Sequence, residues 1–196
     1  MNIDTNRLRS RAVVAFTTIG LAIGGTALAH GIAAPEVRQV GATAIVYKGP
    51  RLDMVLSYRF AENNPSAKWL MLDTAMTAYA PIDIPRTAIS VRTPSGVVVP
   101  LATQREFATG YSETAWDVTV DRAFMEPMGY LPPHRVRPLR FFAERGVGLA
   151  FDVAYLDAFH NSFGRLFFEL PGRVQKGRYE LLINLPGNPV TIPFTI

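Results

Sequence analysis

The sequence predicts an all-β protein, an immunoglobulin-like β-sandwich carrying one irregular, partly helical insertion. Three observations point there. Apolar residues recur with period two in short runs along most of the chain. Turn-forming residues separate the runs, with 15 Gly and 15 Pro and no low-complexity tract among them. The chain has no cysteine, so apolar burial rather than disulfide bonding must hold it together.

The amino terminus stands apart from this pattern. Arg7, Arg9 and Arg11 form a basic head opposed only by Asp4. An uncharged stretch from Ala12 to Ala29 follows, rich in Val13, Val14, Phe16, Ile19, Leu21 and Ile23. It closes on Ala27-Leu28-Ala29, which sets small side chains at the positions a signal peptidase accepts. Residues 1–29 therefore read as a secretory signal peptide, with His30 as the expected mature terminus. An uncleaved anchor would be weakened by Gly20, Gly24 and Gly25, and would leave the following domain on the same side of the membrane. The expected location is periplasmic or secreted, with no stable transmembrane span after cleavage.

Residues 30–196 read as a single sandwich domain. Thr43–Lys48 is the expected opening strand. In Leu52–Phe60, the residues Leu52, Met54, Leu56, Tyr58 and Phe60 share one face; Asp53, Ser57 and Arg59 share the other, which is expected to be wet. Trp69–Ala80 is apolar throughout and suits a central strand. Thr87–Thr93 and Val97–Leu101 flank Pro94-Ser95-Gly96, a hairpin turn. Leu149, Phe151, Val153 and Tyr155 alternate toward the core, as do Leu166, Phe168 and Leu170. Tyr179–Leu185 and Val190–Ile196 form a closing hairpin around Pro186-Gly187-Asn188-Pro189. About eight or nine strands result, enough for a sandwich. Tyr179, opening the penultimate strand after a turn, is placed to act as a tyrosine corner, its hydroxyl bonding back to nearby backbone. Residues 102–145 break the alternation. They are rich in aromatic residues and prolines, with a helix expected near Ser112, and are too long for an ordinary loop. Such a segment is where a distinctive surface is expected.

Charge excludes some functions. Removing Arg7, Arg9, Arg11 and Asp4 from the 20 basic and 16 acidic side chains leaves a net charge of about +2. No dense basic stripe remains, so no nucleic-acid partner is expected. Without cysteine, thiolate metal sites and cysteine nucleophiles are excluded. There is no Gly-x-Ser-x-Gly elbow, no phosphate loop and no dinucleotide fingerprint. Asp73 and Asp152 are carboxylates within apolar runs, but their spacing defines no glycosidase pair. His134, Arg135, Arg137 and Arg140 form a local basic cluster that could meet an anionic ligand or headgroup, although a solvated basic loop is the commoner reason for such a run.

Three histidines remain: His30, His134 and His160. At a free terminus, His30 would offer an amine and an imidazole to one copper ion, and His134 or His160 could complete a three-nitrogen site. The sequence Ala27-Leu28-Ala29-His30 in this respect resembles the histidine brace of lytic polysaccharide monooxygenases and the amino-terminal copper site of periplasmic copper-resistance carriers. That resemblance implies copper as cofactor and an immunoglobulin-like sandwich. The residues themselves favour a different expectation: an exported, non-catalytic module that binds a protein partner in the cell envelope without a cofactor. Its docking edge would be the first strand (Thr43–Lys48) or the last (Val190–Ile196).

Overall fold

The computed structural model describes residues 34–110, 129–144 and 146–196, and among these the protein is all-β and sandwich-like. Six strands form the larger sheet: β1 (Glu36–Val40), β2 (Ala44–Lys48), β3 (Leu52–Ser57), β4 (Trp69–Ala78), β10 (His160–Glu169) and β8 (Arg135–Pro138), in that spatial order. Four form the smaller one: β12 (Val190–Thr195), β11 (Arg178–Ile183), β6 (Ile89–Arg92) and β7 (Val98–Pro100). β5 (Ile82–Pro85) and β9 (Val153–Leu156) make a separate pair. Every pairing is antiparallel except that of β8 with β10.

Period-two alternation builds the main core. Leu52, Met54 and Leu56 of β3 and Leu70, Leu72 and Met76 of β4 turn inward together. They meet Val91, Leu181, Ile183 and Ile192 from the smaller sheet. Such burial stabilises by about 1.5–3 kcal/mol for each large side chain.

The expected wet face of the Leu52–Phe60 run is overturned. Asp53, Val55 and Ser57 are buried, as is every other residue of β3 and β4. Both faces of the larger sheet are covered, so neither side of these strands needed to be polar. Phe107, Phe142 and Phe167 form one aromatic cluster on the outer side, with ring centroids 4.8–5.1 Å apart. Asp53 is met there by the Tyr79 hydroxyl, which donates at 2.6 Å. Burial, and then this carboxylate, push the Tyr79 phenol up to about 12. The run also ends early: Arg59 and Phe60 lie in a short helix, α1 (Arg59–Asn63), where Phe60 joins the outer cluster beside Trp69.

Other expectations shift as well. Thr43–Lys48 is not an edge, because β1 covers β2 on that side. β12 does lie at an edge, as does β8. The 102–145 stretch contributes β8 to the larger sheet and a helical turn at residues 104–110. That helix opens with a reciprocal cap. Thr103 N–H donates to Glu106 Oε2 at 2.7 Å, and Glu106 N–H donates to Thr103 Oγ1 at 3.2 Å. The helix expected near Ser112 lies outside the described residues.

The hairpin around Pro94-Ser95-Gly96 forms as expected between β6 and β7, with Gly96 at φ 84°. Tyr179 is buried in the core, and its hydroxyl bonds the backbone four residues upstream. It donates to Gln175 O at 3.0 Å and accepts from Gln175 N–H at 2.9 Å. Its ring stacks on Phe194 with centroids 5.4 Å apart.

Candidate functional site

The alternation of Leu149, Phe151, Val153 and Tyr155 is real, but it faces the other way. These side chains are 71%, 51%, 48% and 49% exposed, while Ala154 and Leu156 enter the core. Pairing with β5 decides this. Ile84 lies opposite Ala154 and Ile82 opposite Leu156, and residues directly opposite across an antiparallel pair share a face. Ile82 and Ile84 point inward, so their partners follow and the larger apolar set is left outside. Val147, Val136 and Phe159 are exposed as well.

Arg86 fastens this surface to the body of the fold. It is itself buried, in the short 3-10 turn after β5. Its guanidinium donates to Ala102 O at 2.5 Å, to Phe141 O, and to Asp152 Oδ1 at 3.0 Å, with a longer contact to Phe151 O at 3.4 Å. It also stacks over the Phe142 ring, 4.8 Å from the centroid. Asp152 therefore points outward and serves as an ion-pair partner. Asp73, the other candidate carboxylate, is buried on the outer side of β4 and pairs with Arg165 of β10 at 3.2 Å. The two belong to different parts of the fold.

A groove of about 350 Å³ opens between β8 and β9. Arg140 O accepts from Phe151 N–H at 2.7 Å and closes one end. Further along, the Arg137 guanidinium donates to Tyr155 O at 3.2 Å and lies over the Tyr155 ring. Gly164 lets the chain beyond β8 approach β10 this closely: a Cβ there would meet Leu139 O at 2.5 Å. Ser162 also lines the groove, and its buried Oγ has no hydrogen-bond partner among the described residues.

A polar cluster sits beside the groove. Asp157 accepts from Arg137 Nη2 at 2.7 Å and from the backbone N–H groups of Phe159 and His160 at 2.8 and 3.0 Å. His160 Nδ1 lies 2.9 Å from Asp157 Oδ1 and 2.7 Å from Arg137 Nη2. Burial alone would raise the Asp157 carboxyl. The bonds from His160, Phe159 N–H and Arg137 outweigh it and hold the group well below the usual carboxylate range. His160 is thus the first residue of β10 rather than part of a loop. His134 precedes β8, with Nδ1 3.5 Å from Thr77 Oγ1. The β8–β10 register sets His160 opposite Arg135, so the two histidines share one corner of the fold. His30 lies outside the described residues. Among the described residues, no group of three or more metal-ligating side chains is assembled.

The basic cluster of the sequence is divided by the fold. Arg137 is committed to Asp157 and His160, whereas Arg135 and Arg140 are exposed and make no ion pair among the described residues. Arg86, Asp157 and Ser162 were not legible in the sequence. Each acquires its setting from chain segments far away, and no spacing pattern announces it. The capping box at Thr103 and Glu106 was a local signal that could have placed the helix.

No known protein family, no curated protein and no solved structure matches this chain. No helix of the described residues is long and apolar enough to cross a membrane.

Proposed function

We propose that the protein is an exported, non-catalytic binding module that engages a protein partner in the cell envelope through the face of β8 and β9. The observation that carries this is the orientation of β9. β9 turns Val153 and Tyr155 outward, Leu149 and Phe151 before it are exposed in the same alternation, and so much exposed apolar surface is shaped for covering. Export rests on the basic head, apolar core and Ala27-Leu28-Ala29 of residues 1–29.

The immunoglobulin-like reading of the sandwich has support in strand order. β3, β4 and β10 run side by side as strands A, B and E do, while β6, β11 and β12 stand as C, F and G. The Tyr179 corner opens β11, the F position. β8 takes the place of D but runs parallel to β10, a departure from the type.

The test is a photoreactive phenylalanine analogue placed at Phe151 or, as control, at the exposed Thr191 of β12, followed by irradiation in the native envelope. Protein cross-links through Phe151 but not Thr191 are expected. Equal cross-linking at both positions, or none at Phe151, overturns the assignment.

A second reading is a periplasmic copper protein using His30 with His134 or His160. The observation favouring it is that His134 and His160 come to one corner, with His160 oriented by Asp157. Tight Cu(II) binding by protein beginning at His30, lost when one residue is added ahead of it, is the expected result. Binding that survives the extension overturns it.

A further inference from the structure

We infer that the groove between β8 and β9 takes an extended polypeptide segment bearing acidic side chains, which adds as a strand to the open edge of β9. This rests on the binding face proposed above and specifies the chemistry of its partner.

The main chain carries the argument. Arg86 N–H bonds Asp152 O at 2.6 Å in the same register as the β5–β9 pairs. The ladder to β5 therefore uses the backbone of residues 152, 154 and 156. Alternate residues of an antiparallel strand turn their N–H and C=O to opposite edges, so those of Val153 and Tyr155 face β8. On β8, Arg135 N–H and Leu139 N–H bond Phe159 O and Phe163 O. Val136 consequently presents its own N–H and C=O toward β9.

Two facing edges would ordinarily zip together. Here they bond once, at Arg140 and Phe151, and the next donor would be residue 138. Pro138 has no N–H to give. Beyond it the edges part, and a guanidinium rather than an amide meets Tyr155 O. Apart from Tyr155 O, the groove is thus flanked on both sides by backbone groups without partners among the described residues. Alternating amide donors and acceptors are what a peptide supplies and a lipid does not.

Charge sets the sequence of the segment. Arg135 and Arg140 are exposed without ion pairs among the described residues, Asp157 and Asp152 are committed to Arg137 and Arg86, and the exposed Asp83 lies across β9 on β5, on the side away from β8. An acidic strand complements that rim. Phe151, Val153 and Tyr155 offer apolar contact at every second position, and the unpartnered Ser162 Oγ offers a polar one within the groove.

The experiment titrates ¹⁵N-labelled protein with a ten-residue peptide of alternating valine and glutamate. Parallel titrations use its fully N-methylated version, its lysine counterpart, and phosphatidylglycerol vesicles. The expected result is that the amides of Val136, Val153 and Tyr155 shift and exchange more slowly with the glutamate peptide, and that both altered peptides bind at least about tenfold more weakly. Pro138→Val restores the missing donor and lets the edges zip, so it is expected to abolish peptide binding while keeping or raising Tm. Several outcomes overturn the inference: equal binding of the N-methylated peptide, response to vesicles alone, concentration-dependent shifts without peptide that mark a second copy, undiminished binding in Pro138→Val, or no response. If any of these occurs while Phe151 still cross-links, strand addition fails and the binding face stands. If Phe151 does not cross-link, the face itself is withdrawn.

Discussion

Replacing Arg86 by methionine keeps an unbranched apolar stem and removes the guanidinium. The buried carbonyls of Ala102 and Phe141 then lose their donor. A buried acceptor left unpaired costs about 1–3 kcal/mol, so the two together cost about 2–6 kcal/mol. Asp152 adds little, because its side chain is 87% exposed and water replaces the lost partner. The contact to Phe151 O at 3.4 Å is long and is left out of the sum. Methionine recovers some apolar burial, so the expected net loss is about 3 kcal/mol. With a urea slope of roughly 2 kcal/mol/M, the unfolding midpoint falls by about 1.5 M. Urea titration followed by tryptophan fluorescence reads this directly, since Trp69 is buried. Arg86→Lys retains a charge and donors but not the planar fork, and should recover only part of the loss. The Phe151 amide, bonded to Arg140 O beside this anchor, should also exchange faster in Arg86→Met. A midpoint shift below about 0.5 M would refute the reasoning, because it would mean that the carbonyls find other partners and that Arg86 does not tie the 141–152 segment to the core.

Two other perturbations have clear signs. Tyr179→Phe removes the hydroxyl that serves both Gln175 O and Gln175 N–H, and should cost about 1–2 kcal/mol, lowering Tm by roughly 3–6 °C in a thermal melt. A Tm unchanged within about 1 °C would show that the corner contributes nothing. The Asp157 carboxyl sits below its unfolded value, so its contribution is present above about pH 4 and is lost as pH falls from there toward the folded value. Urea midpoints measured between about pH 6 and pH 2 should therefore fall less steeply in Asp157→Asn than in the parent protein. Identical acid slopes would remove Asp157 from the account.

Much of the β-structure was legible because its signals are local. The run from Trp69 is apolar on both faces, and β4 is central with both faces buried. Pro94-Ser95-Gly96 marks its hairpin through a position that needs positive φ, and Gly96 supplies it. Tyr179 found its backbone partner only four residues away. By contrast, β1 and β5 carry too few alternating apolar residues to announce themselves. β8 emerged from a proline-rich stretch because β10 supplied its hydrogen bonds.

The site was legible in part. Leu149, Phe151, Val153 and Tyr155 do share a face, and Arg137, Arg140, His134 and His160 do lie near one another in the fold. Their arrangement was not available. Alternation states which residues share a face and is silent on which face is inward, and in β9 both sets contain apolar side chains. The residue pattern of the chain thus determined the all-β class, the central strand and the turns, since period and turn chemistry act over a few residues. Only tertiary pairing decided that β9 turns Val153 and Tyr155 outward, that Arg86 binds three distant segments, and that the edges of β8 and β9 do not pair. Those outcomes depend on which backbone groups meet across the fold, and no local pattern encodes that meeting.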